Sequence, residues 1–258
     1  MTDNSKKSRN WFDQGGADYA RFRPEYPPEL ATYLAHVSPS VQLAVDVGCG
    51  NGQLAQLLTP HFNNVIGIDP SADQIGNANS TEKVTYKCAP AEHLPLPDGC
   101  ANLITAAQAA HWFDLHAFYS EVRRVSTPDA VIALISYGVL TLEPELNNIF
   151  QNFYLNGVGP YWPPERALVD SGYSTIAFPF EELKAPPLEI RQKWRLREFL
   201  GYLFTWSAVR KIREAGHEEG LLAFTHEFSE AWGNEDTQRS ITWPINMRIG
   251  RVALPTTL

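Results

Sequence analysis

Short apolar runs alternating with helical periods predict an α/β protein built on a doubly wound, mostly parallel sheet with helices on both faces. Three observations carry that expectation. Residues 43–47, 65–68, 84–88, 103–107 and 131–136 are apolar runs of strand length. Segments with apolar residues at i, i+3 and i+4 follow most of them. A glycine-rich turn closes the first run, which is how nucleotide-type sites begin. In such folds the ligand sits beyond the carboxyl ends of the strands, near the point where strand order reverses.

The first helical stretch falls within 11–37 and is interrupted by Pro24, Pro27 and Pro28. The run 43–47 then leads into Gly48, Gly50 and Gly52 at alternate positions, and Leu54, Leu57 and Leu58 open a helix. Glycine lacks a Cβ, so the chain turns sharply and a ligand is expected to approach its amides closely. Counted from Gly48, the last glycine of a G-x-G-x-x-G pattern falls on Gln53, and the segment has no Gly-Lys pair. The dinucleotide and phosphate-loop patterns therefore both fail. Asp46 at the strand end repels a pyrophosphate but suits a ligand with an ammonium group and a positive centre. S-adenosylmethionine (SAM) has both and carries no phosphate. A glycine-rich connection without a ligand is the bland alternative.

The run 65–68 ends in Asp69, Pro70 and Ser71. Asp69 lies roughly 20 residues past the glycine turn, where a second-strand acid grips a ribose diol. Asp-Pro-Ser also opens a helix well, with Ser71 as its N-cap. Leu115, Phe118, Tyr119, Val122 and Val125 trace the clearest helix, capped by Asp114.

Beyond 142 the rhythm changes. Leu146, Ile149, Phe150, Phe153 and Tyr154 form one helical face, and residues 188–196 alternate as a half-exposed strand. Phe199, Leu200, Leu203, Trp206 and Val209 predict one helix ending near Gly216; residues 221–232 predict another, closed by Gly233. Ile241, Trp243, Ile245, Met247 and Ile249 alternate strictly, and Pro244 among them implies an edge or a bulge. The expected organisation is a flexible tail over 1–10, a ligand-binding core over 11–141, a mostly helical elaboration over 142–240 and a final strand over 241–253.

The chain has 258 residues, 44% of them hydrophobic, and a net charge of −8 without a Lys/Arg-rich block. That balance argues against nucleic acid or an anionic membrane as partner. Cys49, Cys88 and Cys100 read as reduced core thiols in a reducing, cytoplasmic compartment, and no metal site is expected. No apolar run approaches the roughly 18 residues of a membrane span, and the polar start lacks the apolar core of a signal peptide.

VDVGCGNGQLA, IGIDPS, PAEHLPLPDG and AAQAAHWFD, in that order, resemble the class I SAM-dependent methyltransferases, specifically the small-molecule type 11 group. The end segments ADYARFRPEYP and TWPINMRIGRV are similar to those of methyltransferases like trans-aconitate methyltransferase. The resemblance implies a Rossmann-like, seven-stranded sheet whose late strands return to the core while the helices between them cap the site. It implies that Asp46, Gly48, Cys49, Gly50, Asn51 and Gly52, with Asp69, Pro70 and Ser71, hold SAM. The Ala91 amide and Glu92 carboxylate would meet the adenine edge, although Pro90 stands where relatives often carry a polar residue. Gln108 and Ala109 would pass the methionine part. His111, Trp112 and Phe113 would face the transfer site, with His111 as candidate general base and Trp112 and Phe113 against the substrate. Tyr19 and Tyr26 would cover the cofactor, and Arg21 or Arg23 would bind a carboxylate.

The reaction so implied is in-line displacement at the SAM methyl by a small-molecule acceptor, a carboxylate or a hydroxyl. No Asn/Asp-Pro-Pro-aromatic sequence follows the fourth strand and no Pro-Cys motif occurs, which argues against methylation of nucleic-acid bases. A SAM-binding sensor or partner subunit without transferase activity is the alternative, because cofactor motifs do not prove turnover. A nicotinamide oxidoreductase is disfavoured by Gln53.

Overall fold

The computed structural model describes residues 23–78 and 81–253. Helix α1 (Pro28–Val37) has a proline in its first turn, where its missing amide is no loss. Strands β1 (Leu43–Val47), β2 (Asn64–Asp69), β3 (Val84–Cys88), β4 (Ala101–Ala107) and β5 (Ser126–Tyr137) pair in parallel in the order β3-β2-β1-β4-β5. Helices α2 (Gln53–Leu58), α3 (Ala72–Gly76) and α4 (Leu115–Val125) provide crossovers. Strand order reverses between β1 and β4, so the crevice opens at their carboxyl ends.

Alternation along the strands builds a core on each face. Ala44, Leu103, Val131, Ala133 and Ile135 join one apolar cluster with α1 and α2. Val45, Val47, Ile104, Ile132 and Leu134 join the other with α4.

The sheet closes with β8 (Arg239–Arg251), antiparallel to β5. Strands β6 (Glu181–Glu182) and β7 (Leu188–Trp194) both pair with β8, one towards each end. The described sheet thus has eight strands but seven positions, because β6 and β7 share the outer one. Pro244 is at neither an edge nor a bulge, contrary to expectation. Its residue pairs with Glu189 of β7, one step past the last β5 partner, Ile245. Its carbonyl accepts from the Gly138 amide at 2.9 Å. A strand residue's N–H and C=O point the same way, so the missing N–H faces the segment leaving β5, not the β7 ladder.

The elaboration between β5 and β8 comprises α5 (Pro144–Asn152), a π-helical turn (Phe153–Gly157), α6 (Arg166–Asp170), α7 (Leu196–Phe204), α8 (Ser207–Glu214) and α9 (Glu219–Trp232). The single helix expected from 199 to 216 is two. The Thr205 hydroxyl turns back onto the Tyr202 carbonyl at 2.7 Å, and Trp206 is extended at φ −70°, ψ 138°. Phe150, Phe199, Leu203, Phe228 and Trp232 are fully buried there. Among the thiols only Cys49 is buried; Cys88 is exposed and Cys100 half-buried, so the core assignment fails for those two. No described helix is long and apolar enough to cross a membrane.

Candidate active site

A cavity of about 1080 Å³ opens at the carboxyl ends of β1, β2, β4 and β5. Of the sequence-predicted residues it gathers Arg23, Asp46, Gly48, Cys49, Gly50, Asn51, Gly52, Asp69, Pro70, Ala91, Glu92, Gln108, Ala109, Trp112 and Phe113. Tyr19 and Arg21 lie outside the described residues.

The glycine turn works differently from the expectation that a ligand meets its amides. The Gly48 and Cys49 amides donate to the Ile68 carbonyl at 2.7 and 3.1 Å, and Gly52 donates to Cys49 at 2.9 Å. The Gly50 amide donates to Asp69 Oδ2 at 2.9 Å. The Gly48, Cys49 and Gly50 amides stitch the turn to β2 and the Gly52 amide closes it on itself, so these four form no phosphate nest. What the turn demands is left-handed backbone, with φ of 68°, 55° and 87° at Gly48, Gly50 and Gly52. Room is short as well: a Cβ on Gly52 would lie 2.0 Å from Tyr86 Oη, and one on Gly48 would lie 2.4 Å from Ala109 Cβ. At Gly50 a Cβ would meet nothing nearer than Gln74 Oε1 at 3.7 Å.

Asp46 is 1% exposed at the end of β1, between Gly67 of β2 and Thr105 of β4. Its Oδ1 accepts from the Thr105 hydroxyl at 2.8 Å, whereas Oδ2 has no hydrogen-bond partner. Burial raises its pKa to about 7, against the pull of that hydroxyl and of the Ala55 amide in the first turn of α2, which acts on the carboxylate without meeting hydrogen-bond geometry at Oδ2. A buried carboxylate oxygen left unsatisfied beside a cavity suits a cationic donor such as an α-ammonium group. Asp69 accepts from Gly50 and, through Oδ1, from the Ser71 amide at 2.9 Å. Each oxygen keeps a further lone pair, enough for a ribose diol. Ser71 does not line the cavity; its hydroxyl caps α3 by accepting from Gln74 at 3.3 Å. Burial pushes the Cys49 thiol up, so it stays protonated.

Around the rim, Glu92 accepts from the Asp114 amide at 2.8 Å, fastening the loop after β3 to the start of α4. Gln108 sits at φ 54°, a strained position for a non-glycine residue, held by the Ile135 and Tyr137 carbonyls. Arg23 donates to the Tyr137 hydroxyl at 2.9 Å and lies over the Tyr202 ring. Gln53, the residue that breaks the dinucleotide pattern, donates to the Pro24 carbonyl at 3.0 Å and so ties the segment before α1 to the turn. Tyr26, Gln74, Asn77 and Tyr137 also line the cavity. Only Tyr26 among them was flagged by the sequence, although Tyr137 ends a strand, where such residues collect.

His111 is not among the lining residues. Its Nδ1 is 2.8 Å from the hydroxyl of Tyr173, which is fully buried. Burial, with the nearby Arg166 cation, lowers its pKa to about 3. At neutral pH it is an uncharged imidazole and a feeble base, which revises the general-base expectation. Among the described residues no group of His, Cys, Asp or Glu is arranged to hold a metal ion.

Residues 45–134 match a family model described as a methyltransferase domain. The chain is 32% identical over 240 residues to a putative methyltransferase of Dictyostelium discoideum, covering 90% of this chain and 91% of that protein. It is similar to the solved structure of a putative type II methyltransferase from Anaeromyxobacter dehalogenans, with TM-score 0.85 and 43% identity over 90% of this chain and 99% of that one. It is also 24% identical over 262 residues to the human mitochondrial arginine-hydroxylase NDUFAF5, covering 96% of this chain and 75% of that protein.

Proposed function

The chain belongs to the class I SAM-dependent methyltransferases, and on that premise we propose that it methylates a small molecule bearing a carboxylate or a hydroxyl. The observation that carries the reading is the unsatisfied, buried Asp46 Oδ2 beside a cavity whose lining also includes Arg23, Trp112, Phe113 and Tyr137. Asp46 and Asp69 would hold the ammonium and ribose of SAM, with the glycine turn shaping the space between. When bound, SAM supplies a methyl group already activated on a sulfonium, so the protein's share is alignment and exclusion of water. Trp112 and Phe113 provide an apolar wall for that purpose, and their ring faces favour a nearby positive centre. The resemblance we read in the end segments to methyltransferases like trans-aconitate methyltransferase would favour a carboxylic acid over a hydroxyl. The net charge of −8 favours a protein with neither nucleic acid nor an anionic membrane as partner, and the three free cysteines favour a reducing, cytoplasmic compartment.

Titration calorimetry with S-adenosylhomocysteine and a methyl-transfer assay on acids, phenols and amines test the reading together. Affinity weaker than about 1 mM, roughly −4 kcal/mol, rejects the cofactor site. Sound binding without any S-adenosylhomocysteine produced from SAM would instead favour a SAM-binding protein that transfers nothing, or a different reaction such as the one named for NDUFAF5.

A further inference from the structure

The helical elaboration contains a second concentration of unusual features, centred on Arg166. The residue begins α6, which packs against the 110–112 turn carrying His111 and Trp112. Its Nε donates to Asp170 Oδ1 at 2.9 Å, and its guanidinium also acts on the Tyr154 hydroxyl. The guanidinium carbon lies 4.7 Å from the Trp162 ring centre and 5.8 Å from that of Tyr154. Asp170 also accepts from the Tyr154 hydroxyl at 2.9 Å. Asp170 and the rings therefore fix the orientation of the cation.

Two backbone irregularities flank it. Tyr154 lies in the π-helical turn, a distortion frequent at functional sites. Gly172 and Tyr173 are consecutive residues at φ 61°. For a buried tyrosine that conformation is an outlier, and such strain persists where surrounding structure enforces it. Trp162 Nε1 is buried and has no hydrogen-bond partner. An unmet indole N–H beside a guanidinium asks for an acceptor.

The Arg166 cluster neighbours the cavity already described. The His111 ring is 4.8 Å from that of Trp112, which lines the cavity. Arg23, another lining residue, lies over Tyr202, whose hydroxyl feels the charge of both Arg23 and Arg166.

We propose that Arg166 and the Trp162 indole N–H bind a carboxylate-sized anionic group of the methyl acceptor, which makes Arg166 a specificity-determining residue. The inference rests on the methyl-transfer reading and adds to it the group that selects the substrate. A guanidinium held on aromatic faces is only weakly hydrated, and its planar fork matches a carboxylate. Tyr173 acts as a positioning residue: its hydroxyl occupies His111 Nδ1, which keeps the ring beside Trp112, between the Arg166 cluster and the cavity.

The test titrates the enzyme saturated with S-adenosylhomocysteine with benzoate, phenylacetate and succinate, and with the corresponding amides. The acids should bind the wild type about tenfold or more tightly than their amides. Arg166→Gln should abolish that preference, Arg166→Lys should restore part of it, and Trp162→Phe should weaken the acids several-fold. S-adenosylhomocysteine affinity should stay the same in all variants. Equal binding of acids and amides, no binding of any acid to the wild type, or a preference surviving in Arg166→Gln overturns the proposal. If Arg166→Gln does not fold, unchanged acid affinity in Trp162→Phe overturns it. Failure of the wild type to bind S-adenosylhomocysteine would be a separate result, sinking the methyl-transfer reading itself.

Discussion

The turn after β1 and the helical elaboration hold their polar groups by opposite means. In the turn, backbone does the work: amides of Gly48, Cys49 and Gly50 are spent on Ile68 and Asp69, and the glycines supply φ values that side chains would forbid. In the elaboration, side chains do it: Arg166, Tyr154, Trp162 and Trp206 pack on one another, with ring centres of the last two 5.2 Å apart. A backbone-built site is fixed in shape and suits an invariant cofactor. A cluster built from packed side chains can change its residues without disturbing the sheet.

Mutations can break this contrast. The largest effect is expected from Phe150→Ala, which empties a fully buried position against Tyr154, Phe199 and Trp206. It should cost about 3–5 kcal/mol in denaturant unfolding. S-adenosylhomocysteine affinity of the folded fraction should not change, and a parallel fall in affinity would show that the two regions are not separable. Next comes Gly52→Ala, which forces a Cβ to 2.0 Å from Tyr86 Oη at φ 87°. It should cost about 2–3 kcal/mol and remove cofactor binding. Gly216→Ala, also at positive φ but with nothing within 4 Å of its Cβ, should cost about 1 kcal/mol and leave binding intact.

Asp46 sharpens the contrast through pH. Its folded pKa of about 7 lies above the unfolded value of about 3.9. The fold therefore binds this proton more tightly, and the stability gained is fully present below pH 4 and lost as pH rises to 7. Asp46→Asn should erase that part of the decline in ligand-free melting temperature between pH 4 and 7. In the wild type, S-adenosylhomocysteine affinity should rise with pH up to about 7, by at most roughly tenfold per unit. In Asp46→Asn it should be flat with pH and about tenfold weaker at pH 8. The smallest effect belongs to Gln53→Ala, which deletes the bond to Pro24. It should cost about 0.5–1.5 kcal/mol and speed amide exchange just before α1.

The same contrast explains what was legible in the sequence. Strands β1 and β3 fall where the apolar runs put them, and the turn was recognisable because glycines two residues apart are a local pattern. The fate of the turn's amides was not, since Ile68 and Asp69 reach them from the next strand. The break at Thr205 and Trp206 escaped because the apolar period continues across it; only a side-chain bond to Tyr202 marks the stop. Arg166 and Tyr173 carry no local signature. Tyr173 meets His111 across 62 residues of sequence, and no periodicity spans that distance.

Strand β8 joins both regions along its length: residues 239–245 hydrogen-bond β7, and 245–251 hydrogen-bond β5. A chimera that borrows the elaboration of a relative must therefore import the front half of this strand as well. Transplanting 142–238 alone would leave β7 with a foreign neighbour and a mismatched seam, so a transplantable elaboration runs through Ile245.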